Sequence, residues 1–108
     1  MDKIVANVVS VDETDGIQTL GFAEGQAGQG RYAILQRSTD DQSVYFEVDD
    51  QINSACDVVN GYNVSAGKVE IRLAKPVGKV VESTFVIEYP VSENAIVESA
   101  LKEFLDDR

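Results

Sequence analysis

Cys56 is the one thiol of the chain and its only soft nucleophile. No histidine exists to take its proton, and its neighbour Asp57 is acidic, so Cys56 reads as a structural or incidental cysteine. The same absence removes Ser-His-Asp and Cys-His triads and Cys/His zinc sites, and a single cysteine forms no intrachain disulfide. Gly25, Gly28 and Gly30 have the look of a phosphate-cradling loop, yet the Lys-Ser/Thr pair is missing and no helical pattern follows. Asp12, Glu13 and Asp15 before Gly16 suggest a calcium loop but lack its alternating ligands and terminal Glu; a hairpin turn fits better. Asn63-Val64-Ser65 matches a glycosylation sequon, a pattern common by chance and without meaning unless the chain is secreted. An enzyme working through carboxylates and a divalent metal needs acids converging about 2–2.5 Å from one ion, and nothing among the 19 acids marks such a set. The expectation is a protein without catalytic residues, metal or cofactor.

Charge carries more information. The 19 acids against 9 bases leave a net charge of −10, which argues against unaided binding to nucleic acid or an anionic membrane. Residues 1–57 hold 11 acids and 3 bases and residues 58–108 hold 8 and 6, so the negative field belongs mainly to the first half. Asp40, Asp41, Glu47, Asp49, Asp50 and Asp57 crowd around one strand and its exits. That pattern fits either a solvated face or a docking surface for a basic protein.

The elements that must position these residues follow from periodicity. A length of 108 residues suits one domain, and 44% hydrophobic with 26% charged residues is ordinary globular usage. No charged-then-apolar leader opens the chain and no apolar run nears the roughly 20 residues of a membrane span, so a reducing cytosol is the expected home. Lys3 to Val11 and Ile17 to Ala23 read as a β-hairpin, and Glu24 to Gly30 as an exposed, mobile loop. Arg31 to Gln36 and Ser43 to Val48 are further strands, the second placing Val44, Phe46 and Val48 on one face and Tyr45, Glu47 and Asp49 on the other. Val58 to Val64 pairs with Lys68 to Leu73 through a turn at Ala66-Gly67, with Gly61 as a bulge, and Ser83 to Tyr89 is the last strand. After Pro90 the period changes. Ser92 is placed to cap a helix, Val91 to staple onto Ile96, and Ile96, Val97, Ala100, Leu101, Phe104 and Leu105 to form its buried stripe, opposite Glu98, Lys102 and Asp106. The fold class is therefore α+β: a single domain over residues 1–108, mainly antiparallel sheet of about six or seven strands in hairpins, with a C-terminal α-helix packed on it.

The run Tyr32-Ala33-Ile34-Leu35-Gln36-Arg37-Ser38, then Val44-Tyr45-Phe46-Glu47-Val48-Asp49-Asp50-Gln51 and Asn53-Ser54, resembles the tenth numbered family of bacterial polymorphic-toxin immunity proteins. The resemblance runs through most of the chain and implies a small cytosolic protein that binds and neutralises a cognate toxin domain without being an enzyme. On this reading the partner-binding residues are Glu47, Asp49, Asp50, Gln51, Asn53 and Asp57, with Tyr45 as the aromatic anchor, and the toxin domain presents a basic surface. Arg37 is expected either to pair with Glu47 on the adjacent strand or to act at the interface. An alternative is a small-ligand-binding or regulatory module whose enclosed pocket uses Arg37 as an anion anchor. Exposed sheet edges leave room for a homodimer.

Overall fold

Alternating apolar residues make strands with one face to bury, and here two sheets bury those faces against each other. The computed structural model describes residues 2–25, 30–38, 43–81 and 83–106; the expectations attached to Gly28, Asp40 and Asp41 lie outside the described residues. The strands are β1 (Asp2–Val5), β2 (Val8–Thr14), β3 (Ile17–Ala23), β4 (Tyr32–Ser38), β5 (Val44–Val48), β6 (Asp50–Cys56), β7 (Val59–Ser65), β8 (Lys68–Leu73) and β9 (Thr84–Glu88). One sheet has the order β1-β9-β8-β7 and the other β2-β3-β4-β5-β6. The α+β class therefore holds, with nine strands described instead of six or seven and two sheets instead of one.

The added strands have separate causes. The stretch Lys3 to Val11, expected as one strand, changes sheets at Ala6-Asn7. Ala6 N donates to Glu88 O at 2.7 Å, while Asn7 N donates to Ala23 O at 2.9 Å, so adjacent residues join different sheets. β1 thereby lies parallel to β9, the one departure from antiparallel pairing among the described strands. β6 went unread because Asp50, Gln51 and Asn53 are poor strand formers. The β2–β3 hairpin turns on Asp15-Gly16, both at positive φ (53° and 78°), the requirement of a tight turn matched to strand twist. β7 and β8 do turn at Ala66-Gly67, and their register slips between Val59 and Gly61, the expected bulge.

One core spans both sheets. Phe46 of β5 meets Phe85 of β9 edge-on at 6.2 Å, and Phe22 of β3 meets Tyr89 at 5.9 Å. The C-terminal helix opens with a 3-10 turn (Val91–Glu93), continues as α1 (Asn94–Leu101) and widens into a π-turn over Lys102–Asp106. Val97, Ala100, Leu101 and Phe104 enter the core. Local capping does not set its start: Ser92 lies inside the 3-10 turn, the residues at the two cap positions, Pro90 and Glu93, make no side-chain capping bond, and Val91 and Ile96 both stay exposed instead of forming a staple. The 3-10 turn supplies backbone acceptors instead, Asn94 N donating to Val91 O, and Asn94 Oδ1 ties the helix start to the sheet by accepting from Tyr89 Oη at 2.6 Å and from Gly67 N at 3.2 Å. Among the described residues no helix is long and apolar enough to cross a membrane.

Candidate functional site

Glu47, Asp49, Asp50 and Asp57 gather at the β5–β6 edge of the five-stranded sheet, where they divide into internal and outward-facing groups. Asp49 (φ 65°) and Asp57 (φ 58°) end β5 and β6 in the left-handed region. Each closes a two-bond ring with a neighbouring strand. Asp49 N donates to Tyr32 O at 3.0 Å while Asp49 Oδ1 accepts from Tyr32 N at 3.2 Å. Asp57 N donates to Val44 O at 2.8 Å while Asp57 Oδ1 accepts from Val44 N at 3.0 Å. A short acceptor side chain that tolerates positive φ explains aspartate at both places. Asp49 also takes Arg31, whose Nη2 stands 2.9 Å and Nε 3.1 Å from Oδ2, and Arg31 Nη1 reaches Lys3 O at 2.9 Å.

Between these aspartates the ladder skips. Glu47 faces Ser54 and Val48 faces Asp50, so Gln51, Ile52 and Asn53 bulge out of register. Asn53 is 6% exposed and both ends of its amide are used: Nδ2 donates to Val48 O at 3.1 Å and Oδ1 accepts from Lys79 N at 2.8 Å. In this structure the amide, expected as a partner contact, is turned inward and fastens the bulge to the turn Val77–Val80. Gly78, at φ +57°, lies so close that an added Cβ would stand 2.2 Å from Asn53 Oδ1. Asp50, Gln51 and Ile52 face solvent, with Ile52 68% exposed.

On the outer face of β5, Tyr45 and Glu47 point away from the core, opposite Phe46 and Val48, as the alternation required. Glu47 is nonetheless only 7% exposed. Tyr32 Oη donates to its Oε2 at 2.5 Å, and Tyr45 Oη donates to its Oε1. Burial first, and the bond to Glu47 second, raise the Tyr32 pKa well above the ordinary tyrosine value. The Tyr45 pKa is raised chiefly by its own bond to Glu47. The carboxylate thus pins two aromatic rings beside the exposed bulge.

Arg37 does not pair with Glu47. In register it faces Gln18 and Val44, whereas Glu47 faces Ile34. Its guanidinium goes to the helix end: Nη1 donates to Glu103 O at 2.5 Å, Nη2 to Gln18 Oε1 at 3.3 Å, and the group lies 5.8 Å from the Phe104 ring centroid. Arg37 is thereby a structural clamp. Sequence reasoning also gave no site role to Arg31, Tyr32, Ile52 or Gly78; the positions that couple to them, one or two strands away, carry no local signal. Among the described residues no group of three or more Cys, Asp or Glu is gathered in a way that could hold a metal ion. No protein-family model matches the chain, and no curated protein matches it either.

Proposed function

We propose that this protein is an immunity protein of the polymorphic-toxin type: a cytosolic, non-enzymatic inhibitor that binds a cognate toxin domain through the β5–β6 edge. The observation that carries this reading is the pair Tyr32 and Tyr45, locked by Glu47 directly beside the exposed Asp50, Gln51 and Ile52. Rigid tyrosines supply contact area at small entropic cost, and an exposed aliphatic side chain ringed by acids and amides suits a basic partner. The net charge of −10 adds long-range steering toward such a partner. Asp49 and Asp57 build the frame of this surface, and Tyr45, Asp50 and Gln51 are its contact residues.

The test is co-purification of this protein with the tagged C-terminal domain encoded by the adjacent open reading frame, together with survival of cells expressing that domain. A stoichiometric complex that protects cells, with an association rate falling as salt rises, supports the reading. Absence of both complex and protection sinks it.

A further inference from the structure

At the opposite edge of the five-stranded sheet, β2 ends the strand order and lies almost wholly exposed. Its inner-face residue Val11 stands in register with Leu20, which is 0% exposed, yet Val11 itself is 51% exposed. Ile96 on α1 is 49% exposed, and between strand and helix runs an open groove of about 600 Å³. Ala100 and Phe104 contribute to its apolar lining; Glu13 lies on the groove side of β2 and Asp12 on its other face, and Glu103, at the groove floor, accepts from Gln18 Nε2 at 2.6 Å and stands 4.0 Å from Arg37 Nη2.

We propose that this groove docks an extended, basic segment of a protein partner, which adds to β2 as a further strand and seats alternate apolar side chains on Val11 and Ile96. An edge strand offers one row of backbone N–H and C=O groups to a new strand, and such groups go unused by a helix laid in the groove. Charge selects the occupant. The exposed carboxylates of Asp12 and Glu13, one on each face of β2, favour lysine and arginine beside the edge, and a second copy of a chain of net charge −10, carrying the same pair on its own β2, is repelled. The surface is independent of the β5–β6 edge and stands or falls apart from the toxin reading.

The test titrates the ¹⁵N-labelled full chain with a capped seven-residue peptide alternating Lys and Val, matched to the seven residues of β2. A Lys/Gly peptide of equal charge serves as control. Shifted and exchange-protected amides in β2, shifts over 95–104, and binding at least about tenfold tighter than the control support the proposal. Val11→Lys and Ile96→Lys, both at exposed positions, are each expected to weaken the Lys/Val peptide about tenfold with the melting curve unchanged. Equal binding of the Lys/Gly peptide, shifts confined to other elements, or self-association through β2 in the absence of peptide would overturn it.

Discussion

Tyr32 on β4 donates its phenol to Glu47 on β5 at 2.5 Å, across two strands whose register sets Glu47 opposite Ile34. With Tyr45 on the other oxygen, the carboxylate is held by two hydroxyls on the outer face. Glu47→Gln keeps the shape but replaces one acceptor with a donor facing a phenol. A loss of about 1–3 kcal/mol in urea unfolding is expected. Tyrosinate absorbance should show Tyr45 titrating closer to its ordinary value, with Tyr32 still raised because burial is its first cause. Unchanged titration of both rings would contradict the clamp.

The same rings set an alkaline limit. A tyrosine whose native pKa exceeds its unfolded value binds its proton more tightly when folded. Its contribution is complete below the unfolded pKa of about 10 and is lost as pH climbs from there through the raised native value. Stability should therefore fall above about pH 10, and less steeply in Tyr32→Phe. Urea midpoints measured from pH 8 to pH 11 check the slope.

Arg37 joins the last turn of the chain to β3 and β4. Arg37→Ala removes the bond to Glu103 O and the contact with Phe104, and should cost about 1.5–3 kcal/mol while speeding amide exchange over residues 101–105. Arg37→Lys should recover little, because a point ammonium cannot serve Glu103, Gln18 and the ring together. Uniform exchange changes across the whole chain would argue against a local clamp.

Much of this architecture was legible because burial on one face imposes a period. Val69, Ile71 and Leu73 in β8, and Val97, Ala100, Leu101 and Phe104 in the helix, point inward as their spacing required. The unread parts depend on partners distant in sequence. The apolar run Lys3 to Val11 satisfies a single strand locally, and only Glu88 and Ala23 decide that it breaks at Ala6-Asn7. Ser92 is a suitable cap in isolation but lies inside the 3-10 turn, and Asn94, held by Tyr89 and Gly67 from other elements, ties the helix start down. The acidic cluster was visible as composition. Its division into frame and outward-facing surface was not, because positive φ at Asp49 and Asp57 arises from the strand ends they close.

The Asn53–Gly78 contact makes a small residue critical at a turn. Gly78→Ala forces a Cβ at positive φ against Asn53 Oδ1 and Ile52 O, and should cost about 2 kcal/mol or more. Asn53→Ala removes the Oδ1 part of that clash, leaving Asn53 Cα and Ile52 O, but strands Lys79 N and Val48 O, at about 1–3 kcal/mol. The double variant should lose less than the sum of the two, since one change relieves part of the other's clash. Additive losses in a double-mutant cycle would mean the two residues do not act on each other.

Asp49 and Asp50 are adjacent carboxylates with opposite expected behaviour. Asp49 accepts from Tyr32 N and Arg31, so Asp49→Ala should lower stability by about 1–3 kcal/mol before any partner is added, Asp49→Asn recovering part through its retained acceptor. Asp50 is exposed and bonds locally, Oδ1 accepting from Ile52 N at 3.3 Å. Asp50→Lys should leave the melting curve within about 0.5 kcal/mol of wild type. If the proposed toxin partner is found, Asp50→Lys should slow association with it by several-fold at low salt, and by less as the Debye length shrinks. Reversal of charge at Asp50 with no change in association at any ionic strength would overturn the proposed docking at the β5–β6 edge, whereas a weakened complex in Asp49→Ala alone would report only the damaged frame.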